Sequence, residues 1–100
     1  MDQYSSYRWR VSGRHPLHWR RWDRAAVVHH PASGETHYLN LFSMVALEQL
    51  ADREQSIAEL AANMAAYLDV EPGEHFGQQV DSLVRKFDEL GLIEPCPQSE

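Results

Sequence analysis

The sequence predicts an α+β fold in which a three-stranded antiparallel sheet is followed by a three-helix bundle. Two observations predict this order. Up to about residue 40, apolar residues occur in short runs separated by glycine and proline, which is typical of strands and turns. From Leu41 onwards, apolar residues recur at helical spacing almost to the end of the chain. No loop-forming residue separates the two patterns, so a strand that ends at Asn40 must lead directly into a helix.

The length and composition indicate one globular domain. The 100 residues are enough for a single core, and 43% hydrophobic and 24% charged residues are ordinary values for such a chain. No apolar run approaches the roughly 20 residues that cross a bilayer, and the first residues lack the features of a signal peptide. We therefore expect a cytoplasmic domain with no membrane partner over residues 8–94, a flexible N-terminus at 1–7 and a polar tail at 95–100.

The first 22 residues contain two segments rich in arginine and aromatic residues. Residues 7–11 alternate apolar side chains with arginine, as a strand covered on one face does. Residues 13–16 begin with glycine and end with proline, which indicates a turn. In residues 17–22 we expect tryptophans packed on the core beneath arginine stems. Nucleic-acid binding is the alternative, and it is disfavoured because contact with a phosphate backbone needs many more cations.

The next two strands are predicted to form a hairpin. Residues 24–30 and 35–40 carry strand patterns, and the turn between them, 31–34, has proline at one end and glycine at the other. If Ser33 and Gly34 are the central turn residues, the pairs on one face are His30 with His37 and Val28 with Leu39, and the other face carries His29 and Tyr38. A different turn would change this assignment.

Histidine and cysteine indicate neither a metal nor a cofactor. Five of the six histidines lie in the first 40 residues. Two imidazoles opposed across the hairpin would supply only two of the three or four ligands that a zinc site needs. We therefore expect surface or half-buried strand histidines. Cys96 is the only cysteine, so it has no disulfide partner within the chain.

Three helices are expected after the sheet, over about residues 41–52, 56–68 and 74–90. Asn40 is a preferred N-cap for the first helix, whose apolar residues spread over more than one side. The second begins with a Ser-Ile-Ala-Glu capping box, in which serine and glutamate each satisfy a free backbone N–H.

The third helix has a wide apolar stripe and an acidic exposed face. Gly91 follows it, where a residue in the left-handed conformation ends a helix. Two helices joined by a short break, after a first helix and beside a sheet, outline a winged helix-turn-helix, and such folds bind DNA through the last helix. Here that helix carries two basic and four acidic residues, so we expect phosphate to repel it and no nucleic acid to bind.

Six short motifs occur in an order and spacing that point to a known family: Trp22-Asp23, Val27-Val28, Pro31-Ala32-Ser33-Gly34-Glu35-Thr36-His37, Leu39-Asn40, Ser56-Ile57-Ala58-Glu59-Leu60-Ala61 and Leu90-Gly91-Leu92-Ile93-Glu94. Together they resemble the PqqD family, in particular its subgroup found beside HPr-kinase-related proteins. The resemblance covers about residues 19–95.

This resemblance implies a peptide chaperone, also called a precursor-peptide recognition element. Such domains bind the leader of a ribosomally made precursor peptide and present it to a modifying enzyme, here of the radical SAM type or an HPr-kinase-related system protein. The peptide is expected to add as a strand along the third strand, over a groove shared with the third helix. The strand edge maps to Thr36, His37, Tyr38, Leu39 and Asn40, and the groove wall to Val80, Leu83, Val84 and Phe87.

An unpaired strand edge also has an independent physical basis as a peptide site. Its free N–H and C=O groups bind any extended chain, and side-chain pockets add specificity. Residues 1–40 carry six arginines against three acidic residues, so they are expected to attract an acidic leader. A structural or dimerising adaptor, with the edge paired to a second copy in a homodimer, is one alternative, and a DNA-binding winged helix is another. No enzyme is expected, because phosphate-loop, nucleophile-elbow and paired-carboxylate patterns are absent from the sequence.

Overall fold

The computed structural model describes residues 7–11 and 16–96, which form six short strands and three helices. In chain order the elements are β1 (Arg8–Val11), β2 (His18–Arg21), β3 (Ala25–His30), β4 (Glu35–Asn40), α1 (Leu41–Asp52), β5 (Gln55–Ser56), α2 (Ile57–Leu68), α3 (Glu74–Glu89) and β6 (Ile93–Cys96). The α+β class is confirmed. Residues 1–6, residues 13–15 of the predicted turn at 13–16, and residues 97–100 of the predicted tail lie outside the described residues.

Strands β2, β3 and β4 form an antiparallel sheet with β3 in the centre. His30 pairs with Glu35 and Val28 pairs with His37, so the predicted pairing of His30 with His37 is wrong by two residues. The reason is a turn of four residues rather than two, closed by a 2.8 Å bond from the Gly34 N–H to the His30 carbonyl. Because side chains alternate with period two, this shift leaves each side chain on its predicted face.

Strand β1 lies in a second antiparallel sheet, between β5 and β6. The prediction of one three-stranded sheet within residues 8–40 is therefore corrected to two sheets. Arg8 pairs with Ser56 on one side and with Cys96 on the other, and both partners are distant in the sequence. A local pattern identifies a strand but not such partners. Strand β6 also extends through Pro95 and Cys96, which had been assigned to the tail.

Ion pairs join the arginines of β1 to its neighbours. Arg8 contacts Glu54 at 2.9 Å and Glu59 at 2.8 Å, and Arg10 contacts Glu94 at 2.8 Å. Between these arginines, Trp9 points inward and is buried in the core. The alternation predicted for residues 7–11 thus separates a charged outer face from a buried inner face.

Helix α1 lies at the centre of the core, in contact with β1, β3, β4 and α2. It is buried on more than one side, as predicted, through Met44, Val45, Ala46, Leu47 and Leu50. None of the helices in the described ranges has the length and apolar character needed to span a bilayer.

The tryptophans of residues 17–22 behave differently from each other. Trp19 is half-buried, and the Arg21 guanidinium carbon lies 4.3 Å from the centroid of its ring. This confirms the predicted packing of an arginine over a tryptophan. Trp22, by contrast, is 54% exposed, so the prediction that it packs on the core is wrong; it lies just beyond the end of β2.

The predicted helix ends are also observed. Asn40 Oδ1 accepts the Ser43 N–H at 2.9 Å at the start of α1. Ser56 and Glu59 form both bonds of the capping box, at 3.1 and 2.9 Å. Gly91 follows α3 with φ +76°. These local signals were readable from the sequence because each depends on residues only a few positions apart.

Candidate functional site

The candidate site begins at the edge of β4. Within the described residues, β3 is the only strand that pairs with β4, and the opposite edge of β4 is free. Leu39 is buried on the inner face of the strand, and His37 is half-buried beside it. Tyr38 is on the outer face and is 71% exposed. Backbone N–H and C=O groups along this edge are available to another chain in extended conformation.

A cavity of about 250 Å³ lies between β4 and α3. Strand β4 contributes one wall, through Thr36, His37, Tyr38 and Leu39. The other wall belongs to α3 and the residue after it, through Leu83, Lys86, Phe87 and Leu90, and Ser43 of α1 closes one side. Aliphatic and aromatic side chains predominate in these walls, as they do in peptide-binding grooves.

A second cavity of about 500 Å³ adjoins the first along α3. Leu83 and Lys86 line both cavities, so the two are parts of one depression, which we call the α3 groove. The remaining residues of the second cavity are Phe42, His75, Gln78, Gln79 and Ser82. Phe42, which lines the second cavity, packs edge-to-face on Phe76, with 5.5 Å between the ring centroids.

The predicted site residues divide into two groups. Six of the nine line the smaller cavity: Thr36, His37, Tyr38, Leu39, Leu83 and Phe87. The other three lie elsewhere. Asn40 caps α1, and Val80 and Val84 are fully buried in the core. The apolar stripe of α3 therefore packs inward through Val80 and Val84 and lines the groove through Leu83, and Phe87 belongs both to the core and to the groove wall.

Sequence reasoning did not assign Ser43, Lys86 or Leu90 to the site. Leu90 lies three residues after Phe87, at the end of the helix predicted over 74–90, so its position on the same face was predictable from helical spacing. Lys86 was counted only as part of the charge of α3. Its position at the groove depends on the angle at which α3 packs, and the sequence carries no local signal for that angle.

The α3 groove differs in charge from the rest of the chain. The net charge of the whole chain is −6, yet no acidic residue of the described part lines either cavity. Lys86 lines both cavities, is exposed, and forms no ion pair with a described residue. Its neighbour Arg85 is instead paired with Asp81 at 2.8 Å. The groove is thus apolar with one unneutralised cation.

His37 carries a polar atom that is not satisfied. Its side chain is 17% exposed, and its buried Nε2 has no hydrogen-bond partner among the described residues. Glu35 Oε1 lies 3.5 Å from this nitrogen, but the geometry is not that of a hydrogen bond. A buried polar atom without a partner costs stability, so a ligand group that reaches it gains the missing bond.

A third cavity, of about 300 Å³, lies on another side of the molecule between β1 and α2. Its charged groups already neutralise one another, since Arg8 pairs with both Glu54 and Glu59. Hydrogen bonds from Cys96 and Arg8 lower the pKa of Glu54, and the backbone hydrogen bond from Ser56 lowers the pKa of Glu59. This network is explained by its role in holding β1 against α2.

The described residues offer no reactive thiol and no metal cluster. Cys96 is buried, and burial raises the pKa of its thiol, which disfavours the reactive thiolate. Within residues 7–11 and 16–96, no three side chains of histidine, cysteine, aspartate or glutamate are grouped as metal ligands would be.

Comparisons with models of known protein families, with curated proteins and with solved structures found no match to this chain. A role for the α3 groove therefore has to be derived from its own geometry and chemistry.

Proposed function

We propose that this chain binds an extended peptide as an additional strand on the free edge of β4, with peptide side chains in the α3 groove. The observation that carries the proposal is that one edge of β4 pairs with no described strand and lies directly over an apolar depression. The edge provides main-chain hydrogen bonds and the groove provides side-chain contacts, which are the two components of peptide recognition by strand addition.

The dimensions support a short segment as the guest. Strand β4 has six residues and spans about 20 Å at the rise of a β-strand. A guest strand of similar length directs every second side chain to the same face, so about three side chains enter the groove. Main-chain bonds make such binding tolerant of sequence, and the side chains in the groove select among peptides.

A winged helix-turn-helix arrangement is part of the same proposal, with α2 and α3 as the helix pair. The acidic character of α3 favours a peptide over DNA as the partner. The helix has Glu74, Asp81, Asp88 and Glu89 against Arg85 and Lys86, and Arg85 is already paired with Asp81. A helix of this charge is repelled by phosphate in a major groove.

The biological role that fits this binding mode is that of a peptide chaperone. The resemblance to PqqD-like domains supports capture of a precursor peptide and its presentation to a modifying enzyme, either a radical SAM enzyme or an HPr-kinase-related system protein. No catalytic group belongs to the proposed site, and its chemistry requires no cofactor. Pairing of β4 with a second copy of the chain is the competing use of the same edge.

A peptide selection tests the proposal. Blocked ten-residue peptides, randomised at every position, are equilibrated with the purified full chain, and enriched peptides are titrated individually. We expect peptides that bind as monomers to a monomeric protein. Absence of any enriched peptide, or a dimer in sedimentation that dissociates only on unfolding, would contradict peptide binding at this edge.

A pair of matched variants locates the binding to the groove. Leu83 and Leu68 are both half-buried leucines of helices, but only Leu83 lines the groove. We expect Leu83→Asp to weaken peptide binding by about tenfold or more, because one buried leucine contributes about 1.5–3 kcal/mol. Leu68→Asp should leave the affinity unchanged. Equal losses in the two variants would place the peptide elsewhere.

A further inference from the structure

The charge of the α3 groove indicates which peptides it selects. Lys86 is the only lysine in the chain, and it is exposed at the junction of the two cavities. The four acidic residues of α3 line neither cavity. A cation without a partner, beside apolar walls, attracts an anionic group and favours it over a cationic one.

We infer that the guest strand carries an acidic side chain that pairs with Lys86, beside apolar side chains that rest on the partly exposed Leu83 and Leu90. This inference rests on the proposed binding of a peptide and specifies its class: an extended acidic and apolar segment. The acidic residue gives the bound strand a fixed register, because main-chain hydrogen bonds alone allow it to slip by two residues.

Glu35 influences the same site. It lies at the start of β4, its side chain is 60% exposed, and its Oε1 is 3.5 Å from the unpartnered His37 Nε2. An acidic guest in the cavity therefore meets one attractive charge, on Lys86, and one repulsive charge, on Glu35. This arrangement disfavours guests that are acidic throughout and favours a guest with one acidic residue placed toward Lys86.

Peptides enriched by the selection described above provide the test. Each is synthesised in two forms, with its acidic residue as glutamate or as glutamine, and both forms are titrated at low and at high salt. We expect the wild-type chain to prefer the glutamate form by about two- to fivefold at low salt, the magnitude of an ion pair at a surface. High salt should reduce the preference.

Two charge variants assign the preference to Lys86. In Lys86→Met, which keeps the length of the side chain, the ratio of the affinities for the glutamate and glutamine peptides should fall to about one. Arg20→Met removes the same charge from an exposed position on β2, with β3 between it and β4, and should keep the wild-type ratio. Glu35→Gln should increase the preference, because it removes the repulsive charge.

The outcomes separate this inference from the proposed function. Enriched peptides without acidic residues, or a preference for glutamate that persists in Lys86→Met, would overturn the inference while peptide binding stands. If no peptide is enriched, both fail. The loss of the preference in Lys86→Met, with unchanged thermal stability, would support both.

Discussion

At the scale of single residues, His30 bonds both the turn before β4 and the residue that follows the C-cap of α3. It is buried at the end of β3, where its Nδ1 accepts the Ser33 N–H at 3.2 Å and its Nε2 faces the Gly91 carbonyl at 3.2 Å. A backbone N–H can only donate and a carbonyl can only accept, so both bonds form together when the ring proton is on Nε2 and not on Nδ1. The turn before β4 is thereby linked to the end of α3.

This histidine shows what local patterns miss. Gly91 was predicted to be the residue that ends α3, because the signal lies within a few positions of the helix. The bond between Gly91 and His30 joins residues 61 positions apart, and nothing near either residue indicates it. Sequence reasoning identified His30 as one of several strand histidines and gave it no partner in the helical half.

Gly91 and Asp69, which follow α3 and α2, both have a left-handed backbone conformation. Substitutions at these two positions are expected to change the stability in opposite directions. Gly91 has φ +76°, and Leu92 and Gly91 donate to the carbonyls of Phe87 and Asp88 in a Schellman motif. Asp69 has φ 57° after α2. We expect Gly91→Ala to reduce the free energy of unfolding by about 1 kcal/mol, and Asp69→Gly to raise it by about 0.5 kcal/mol.

Urea denaturation of both variants measures these differences. A Cβ at position 91 would lie 4.0 Å from His30 Nε2, an ordinary contact, so the expected cost comes from the backbone rather than from a clash. An unchanged stability in Gly91→Ala would show that the left-handed conformation is not needed there. A loss of stability in Asp69→Gly would show that the aspartate side chain contributes more than its backbone strain costs.

At the scale of elements, the second sheet is the feature that the sequence did not predict. Strand β1 was recognised from its alternation, and its partners β5 and β6 were not. Strand β5 has only two residues, of which Ser56 had been predicted only as the start of a capping box, and β6 includes Pro95 and Cys96, which had been assigned to the tail. Strands of two to four residues are too short to show a clear alternation of apolar and polar residues, and their partner β1 is distant in the sequence. Only the three-dimensional structure therefore reveals them.

The ion pairs of β1 make this sheet sensitive to acid. The Ser56 backbone hydrogen bond and Arg8 both lower the pKa of Glu59 in the folded chain. The unfolded chain therefore binds a proton first as the pH falls. The stability that ionised Glu59 adds to the folded chain is fully present above the ordinary glutamate pKa of about 4.3. It is lost as the pH falls through the lower pKa of the folded state. We expect the urea midpoint to decrease between pH 6 and pH 3.

Glu59→Gln provides the comparison. Glutamine also completes a capping box, so the cap is retained while the titrating carboxylate is removed. The decrease in the urea midpoint between pH 6 and pH 3 should be smaller in this variant than in the wild-type chain. If both chains lose the same stability over this range, Glu59 does not contribute to the acid sensitivity.

At the scale of the whole molecule, β4 and α3 line one cavity, as expected, but the sequence did not predict how they meet. The faces of the hairpin were predicted correctly although its register was not, because a shift by two residues preserves the alternation. The division of the α3 stripe into core residues, such as Val84, and groove residues, such as Leu83, depends on how α3 packs against α2. The hydrophobic period identifies the apolar stripe of a helix, but it does not show which edge of that stripe remains exposed to solvent.

Strand addition requires the outer edge of β4 to accept a peptide, and amide hydrogen exchange along this strand tests it most directly. Exchange is measured residue by residue on the full chain, alone and with an enriched peptide. Amides that bond to β3 are slow in both states. We predict that a bound peptide slows the alternate amides of Thr36 to Leu39 that face outward. Saturating peptide that leaves these amides unchanged, or that protects β2 instead, would contradict strand addition at β4.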